Sequence, residues 1–287
     1  MMFDRSFPIV IKQPVRIRRR STRKQAGMTL LELMISLALG LLLLTGIGTI
    51  YMGSNQTYRV QEENARIQES GRFALEVIGR SLRQAGSWEM PLNTNIFKTA
   101  FVGTRITGTH NAGPPVVDTV TTQYDGVAGD RDCEGTVVTA AMVAAATPPG
   151  SIVVTDAYRR DAANLELECD GIDVDNAFQP LVSNVEDLQI LYGIDNDGGV
   201  IPSANRYTAT PGNWNQVVSV RVCVLIRSEQ AGITTLQAGS TTQWQRYLNC
   251  AGALGTATGA AAFTDAADSR LHRAFVSTFN LRNRVLN

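Results

Sequence analysis

Met28 to Met52 is a run of about 25 residues with a single charge, Glu32. Leu, Ile and Met dominate it, and these are good helix formers. At about 1.5 Å per residue the run can cross a hydrocarbon core of about 30 Å. A membrane helix is therefore the expectation, and the rest of the chain is arranged around it. Arg16, Arg18, Arg19, Arg20, Arg23 and Lys24 precede the run, and the next charge after it is Arg59. Basic flanks stay in the cytoplasm, which assigns residues 53–287 to the far side of the inner membrane. A secretory signal would carry a shorter apolar core followed by a small-residue cleavage site. The notable small residue is instead Gly27, ahead of the run.

Glu32 admits two readings. A carboxylate in a bilayer is costly unless it is partnered, neutral or near the interface. Glu32 lies close enough to the start of the helix to reach the headgroups. Alternatively, a cut after Gly27 would give Met28 a new α-amino group, and Glu32 of one subunit could neutralise that amine on its neighbour, where a low dielectric strengthens the attraction.

The formal charge of zero hides two opposed parts: residues 1–27 carry eight Lys/Arg and one Asp, for +7, and residues 28–287 carry the compensating −7. The basic excess belongs to the leader, so it is not a nucleic-acid patch, and the exported part has one lysine, Lys98. Cys133, Cys169, Cys223 and Cys250 all lie in the exported part. An even number in an oxidising compartment favours two disulfides, with three possible connectivities. Proximity alone prefers Cys133–Cys169 and Cys223–Cys250; one pair left reduced in the core is the alternative. Their wide spacing lacks the close pairs of a zinc site.

Four segments follow: a leader, residues 1–27; a membrane and assembly helix, residues 28–53; its amphipathic continuation, residues 54–86; and a β-rich head, residues 87–287. No proline falls between Met28 and Met90, so one helix of roughly 90 Å is expected. Ala74, Val77, Ile78, Leu82 and Ala85 recur at helical spacing and need a covering domain. Gly86 is the expected C-cap. Strand patterns fall at residues 116–124, 136–143, 151–156, 165–169, 188–194, 217–226 and 274–281. In residues 217–226, Val218, Val220, Val222, Val224 and Ile226 form one apolar face, and Ser219, Arg221 and Cys223 share the other. Strands after one long helix give an α+β fold, an antiparallel sheet packed on that helix.

The basic leader, Gly27, Met28, Thr29-Leu30-Leu31-Glu32 and the apolar helix together resemble the class III signal of type IV prepilins and pseudopilins. The resemblance implies cleavage by a prepilin peptidase between Gly27 and Met28, methylation at Met28, and an assembly role for Glu32. Arg66 to Ala74, within residues 56–86, is similar to the segment after the membrane helix in PilW-type minor pilins. Residues 178–199, 214–228 and 272–283 are similar in order and content to the PilW head. This implies a minor pilin that helps prime a type IV pilus and its tip complex, supporting twitching motility and surface adhesion. Its implied partners are the prepilin peptidase, other minor pilins, the major pilin, a tip adhesin and the inner membrane, with no nucleic acid and no cofactor. Its implied place is a single-pass anchor in the inner membrane with a periplasmic head, then the fibre near its tip. A J-like pseudopilin of type II secretion and a membrane-tethered periplasmic binding domain are the alternatives.

Asp195-Asn196-Asp197-Gly198-Gly199 resembles the start of a calcium loop, but no Glu follows at the required spacing, and the same residues make hairpin turns. Asp195 and Asp197 are thus weak metal candidates. Asp125 to Asp132 is a second acidic loop with less pattern. No nucleophile elbow, P-loop, zinc-protease or dinucleotide motif occurs, and His110 and His272 read as lone surface histidines, so catalysis is not expected. Trp88, Trp214 and Trp244 read as core or interface anchors.

Overall fold

The computed structural model describes residues 27–89, 100–110, 118–146, 150–172, 177–197, 202–234 and 245–283. Residues 1–26 of the leader, Lys98, Gly198, Gly199 and Trp244 lie outside them. The chain divides into two compact units, Met1–Gly53 and Ser54–Asn287.

In the first unit, helix α1 (Leu30–Gln84 as a whole) carries an uncovered apolar surface. By length and composition it can cross a membrane. Its hydroxyls turn inward on the helix. Ser36 Oγ donates to Glu32 O at 2.7 Å, Thr49 Oγ1 donates to Gly46 O at 2.8 Å, and Thr45 Oγ1 donates to Leu41 O. Hydrocarbon offers no water to satisfy such groups, so this local bonding suits a lipid-facing helix.

The second unit begins with the rest of α1. Glu63, Ile67, Gly71, Ala74, Ile78, Leu82 and then Ala85 are buried, three or four residues apart. That spacing is one helical stripe. The helix stops where expected: Gly86 has φ +72°, and its N–H leaves the helix for Gln123 O at 2.8 Å. Asn283, near the other end of the head, donates from Nδ2 to the terminal carbonyls of Arg83, Gln84 and Ala85 at 3.4–3.5 Å.

The strands are β1 (Ile106–Thr109), β2 (Thr119–Gly126), β3 (Ile152–Asp161), β4 (Glu166–Asp170), β5 (Gln179–Ser183), β6 (Val185–Ile194), β7 (Arg206–Thr208), β8 (Val217–Arg227), β9 (Arg246–Leu248), β10 (Phe263–Asp265) and β11 (His272–Asn280). The expected single sheet is instead a five-stranded sheet in order β1-β2-β3-β4-β5, a four-stranded sheet in order β11-β8-β6-β7, and a β9/β10 ribbon, all antiparallel. The division arises at Asn184, whose φ of +61° turns the chain from β5 directly into β6. Leu165, with φ +56°, faces the same corner: its carbonyl accepts from Val185 N at 2.8 Å, and Asn184 O accepts from Arg227 N at 3.0 Å. A non-glycine residue at positive φ is uncommon, and Asn tolerates it best among common side chains.

Two other expectations change. Residues 136–143 do not form a strand. Val137 keeps only an isolated bridge to Arg131, and α2 (Ala140–Ala145) follows, capped by Thr139 Oγ1, which accepts from Met142 N at 3.2 Å. The alanine-rich AAMVAA stretch with its N-cap outweighs the β-branched residues before it. In β8, a register shift opposite Gly193 and Ile194 skips Val218. Val217 therefore joins Val220, Val222, Val224 and Ile226 in the main core. That core gathers the α1 stripe, Val120, Tyr158 and Leu167 from the first sheet, and Leu188 and Ile190 from the second. Cys223 and Leu225 face the other way, against Cys250 and Leu254 of the segment containing α3 (Cys250–Ala253).

Candidate functional site

At the start of α1, Thr29 Oγ1 accepts from Glu32 N at 3.3 Å. Thr-x-x-Glu is a capping-box sequence, which places Glu32 in the first turn, where the partial positive charge of the helix terminus favours a carboxylate. Among the described residues, no hydrogen bond or ion pair engages the Glu32 carboxylate. Gly27 is exposed, lies outside the left-handed region, and has open space where a Cβ would stand. Neither conformation nor packing within the described residues demands glycine at that position. The same open space surrounds Gly40, Gly46, Gly48 and Gly53.

A different demand for glycine operates further along α1. A Cβ on Gly71 would lie 2.4 Å from the Phe275 ring, and one on Gly79 would lie 2.3 Å from the Phe279 ring. Eight helical residues rise about 12 Å and four strand residues about 13 Å. Gly71 and Gly79 on α1 therefore keep step with Phe275 and Phe279 on β11. Polar ties flank this seam. Glu63, buried on α1, accepts from Glu229 N at 3.0 Å, and Arg66 bridges Glu62 at 2.9 Å and Glu229 at 3.1 Å.

Toward the end of α1, Ser81 Oγ donates to Asp156 Oδ2 at 2.7 Å and lies 2.7 Å from the Tyr158 hydroxyl, both on β3. Asp156 Oδ1 accepts from Cys133 N at 3.0 Å. Burial pushes the Asp156 carboxyl up to about 6, against the opposing hydrogen bonds from Ser81 and Cys133, with nearby Asp132 adding to the rise. Together these contacts tie α1 to both sheets.

The cysteines form Cys133–Cys169, with Cα atoms 6.3 Å apart, and Cys223–Cys250, with Cα atoms 5.7 Å apart. The first ties the loop after β2 to β4, and the second ties β8 to α3. Asp195 and Asp197 lie in the connection between the antiparallel strands β6 and β7. Among the described residues, no group of three or more His, Cys, Asp or Glu side chains is placed to hold a metal. In the second acidic loop the oxygens serve the backbone: Asp130 Oδ2 accepts from Val127 N at 2.9 Å, and Asp132 accepts from Glu134, Thr136 and Ile172 N–H groups at 2.8–3.0 Å. The histidines are not lone surface groups. His110 Nδ1 lies 2.8 Å from Asp118, while His272 lies 3.0 Å from Glu186 and stacks on Tyr247 at 4.2 Å. Trp214 meets Tyr192 edge-on at the rim of the core, with centroids 4.9 Å apart.

Sequence reasoning missed the Thr29 cap, although Thr-x-x-Glu before an apolar run signals it. It also missed Gly71 and Gly79, whose spacing matches Phe-x-x-x-Phe in β11 once the two are known to touch. Ser81 and Asp156 carried no local signal.

An uncovered apolar helix opened by Gly-Met-Thr-Leu-Leu-Glu, continued along an antiparallel β head, is a pilin-like arrangement. Residues 22–48 match the prokaryotic N-terminal methylation motif. Residues 156–283 match the Type IV Pilus-assembly protein W family, PilW. A solved structure, a type IV-like pilin from Thermus thermophilus, is similar at 13% identity over 77% of this chain and 98% of its own, with a TM-score of 0.43. No curated protein matches the chain. The chain is thus PilW-like over residues 156–283 and carries the methylation motif over residues 22–48. Its N-terminal segment suits membrane anchoring and pilus incorporation. The motif implies processing by prepilin peptidase and association with other pilins, and the family is structural rather than enzymatic.

Proposed function

We propose that this chain is a minor pilin that helps prime type IV pilus assembly and stands in the tip complex, so that twitching and adhesion follow from the fibre. In this reading residues 53–287 lie in the periplasm before assembly. Cleavage between Gly27 and Met28 removes the +7 leader, and the freed Met28 becomes methylated. Glu32 then pairs with the N-terminus of an incoming or resident subunit while apolar helices exchange lipid for one another. The open space at Gly40, Gly46, Gly48 and Gly53 suits close helix approach. The chain acts by association rather than by catalysis, alongside other minor pilins, the major pilin and a tip adhesin.

The observation that carries this reading is the pairing of Glu32, without a partner among the described residues, with Gly27, a glycine that nothing in the described chain requires. Replacing Glu32 by Ala tests it. Processing should continue while the amount of subunit in sheared fibres falls by about tenfold, the loss of one charge pair in a partly dry setting. Normal incorporation of Glu32→Ala would overturn the reading.

A further inference from the structure

The two disulfides differ in how they can be reached. Cys169, Cys223 and Cys250 are each 0% exposed, sealed by the described residues alone. Cys223 and Cys250 pack with Leu225 and Leu254 in an apolar cluster that Leu191 and Tyr247 extend. Cys133 is only half-buried. It lines a cavity of about 290 Å³ between the flank of α1 and the β2–α2 loop, with Val77, Arg80, Ser81, Arg131 and Asp156 on the walls. A thiolate must reach a disulfide sulfur directly, and accessible disulfides are the labile ones. Attack on this chain therefore has one entry, Cys133. Exposed Arg80 and Arg131 put two cations beside it, and positive surroundings favour a thiolate. Glu134 is an opposing charge on the same wall, while Asp132 and Asp156 are already engaged by N–H and O–H donors.

The loop that carries Cys133 has other ties that hold it in place. Cys133 N donates to Asp156 Oδ1 at 3.0 Å, and Ile172 N donates to Asp132 Oδ2 at 2.9 Å. The Tyr124 hydroxyl donates to Arg131 O at 3.3 Å, and Val138 N donates to Asp130 O at 2.8 Å. These bonds join the loop to β2, to β3 and to the residues after β4 whether or not the two sulfurs are linked. In the chain-entropy account a disulfide acts mainly by constraining the unfolded chain, so opening this one leaves the folded loop its native contacts.

We propose that Cys133–Cys169 is a thiol-exchange site, opened by a dithiol donor that enters this cavity and attacks Cys133 Sγ. One thiolate of the donor bonds to Cys133 Sγ, the bond between the two Sγ atoms breaks, and its electron pair leaves on Cys169, which takes up a proton. The donor's second thiolate then attacks the donor sulfur of the mixed disulfide, and Cys133 departs as a thiolate and is protonated in turn. The donor leaves as a disulfide and the chain keeps two thiols, so two electrons and two protons have passed to it. The head thus has an oxidised and a reduced form of one fold, which differ in whether the β2–α2 loop is covalently joined to β4.

This inference needs only a dithiol at the head and does not rest on the pilin role. The test uses the full oxidised chain in detergent, with dithiothreitol as the dithiol and glutathione as a monothiol. Samples are quenched with iodoacetamide and mapped by peptide mass, while tryptophan fluorescence follows the fold. Cys133–Cys169 should open at least about tenfold faster than Cys223–Cys250 with the fold retained, and glutathione should be trapped on Cys133 rather than Cys169. Cys223→Ser paired with Cys250→Ser lowers stability without touching the site, so Cys133–Cys169 should open in that variant at the wild-type rate. Equal rates for the two bonds, or faster opening in the variant, would overturn the inference by assigning reduction to the unfolded chain. Glutathione on Cys169, or no reduction while the chain stays folded, would overturn it as well.

Discussion

The Gly79–Phe279 contact supports a prediction in which one substitution changes sign. A methyl group on Gly79 would stand 2.3 Å from Cε1 and 2.7 Å from Cζ of Phe279, more than about 1 Å inside the usual carbon–carbon contact. Phe279 is 9% exposed and is paired across the ladder with buried Val220, so its ring has little room to withdraw. Overpacking of this kind costs about 1–3 kcal/mol, whereas Ala in place of Gly in a helix stabilises by about 1 kcal/mol. Gly79→Ala should therefore destabilise by about 1 kcal/mol net and lower the Tm by about 2–4 °C. Phe279→Ala alone should cost about 3–5 kcal/mol. With the ring gone, the added methyl meets empty space and only the helix preference remains, so Gly79→Ala should now stabilise by about 1 kcal/mol. The coupling energy in the double-mutant cycle is then about 2 kcal/mol. Urea or thermal unfolding of the purified subunit in detergent, followed by near-UV circular dichroism, reads all four corners of the cycle. Destabilisation of equal size in both backgrounds would refute the close-approach argument, as would stabilisation by Gly79→Ala in the wild-type chain.

Two further predictions concern the head. Asp156 and Asp187 are both raised by burial, from 3.8 to about 6. The folded state holds their protons more tightly than the unfolded chain, so this stabilisation is complete below about pH 4 and is lost as pH rises through about 6. The Tm should fall across that window by the equivalent of up to about 3 kcal/mol per group, and Asp156→Asn should flatten part of the slope; a Tm that rises from pH 4 to 6, in the same detergent, would contradict the burial argument. The disulfides close loops with sequence separations of 36 and 27 residues. Loop-closure entropy puts each at about 3–4 kcal/mol, so Cys223→Ser paired with Cys250→Ser should lower the Tm by roughly 6–16 °C. Non-reducing peptide mapping should recover the two short-range pairs, and any cross-linked peptide joining the two would contradict the fold.

What the sequence made legible was periodic or local. The apolar run, the stripe through Ala74, Ile78 and Leu82, and the alternation in β8 can each be read from one window of residues, and Gly86 announces its own positive φ. What stayed hidden depends on contacts between distant segments. One sheet was expected because strand patterns carry no mark of the sheet they join, and the division depends on the backbone at Asn184. Residues 136–143 misled because β-branched residues stand beside a capped alanine run, and the cap prevailed. Gly71 and Gly79 carry no signal of their own until Phe275 and Phe279 arrive from the far end of the chain. His272 read as a surface residue because nothing local tells of Glu186 and Tyr247. At the N-terminus the residues themselves were plain, but the capping role of Thr29 went unread beside the louder apolar run.

The account turns on what happens between Gly27 and Met28. The direct measurement is the intact mass of this protein, purified from cells with and without prepilin peptidase. The expected result is loss of residues 1–27 and gain of one methyl group at Met28, seen only when the peptidase is present. A chain that keeps its leader, or is cut beyond residue 52, would leave Glu32 as an ordinary interfacial carboxylate and contradict the pilin account.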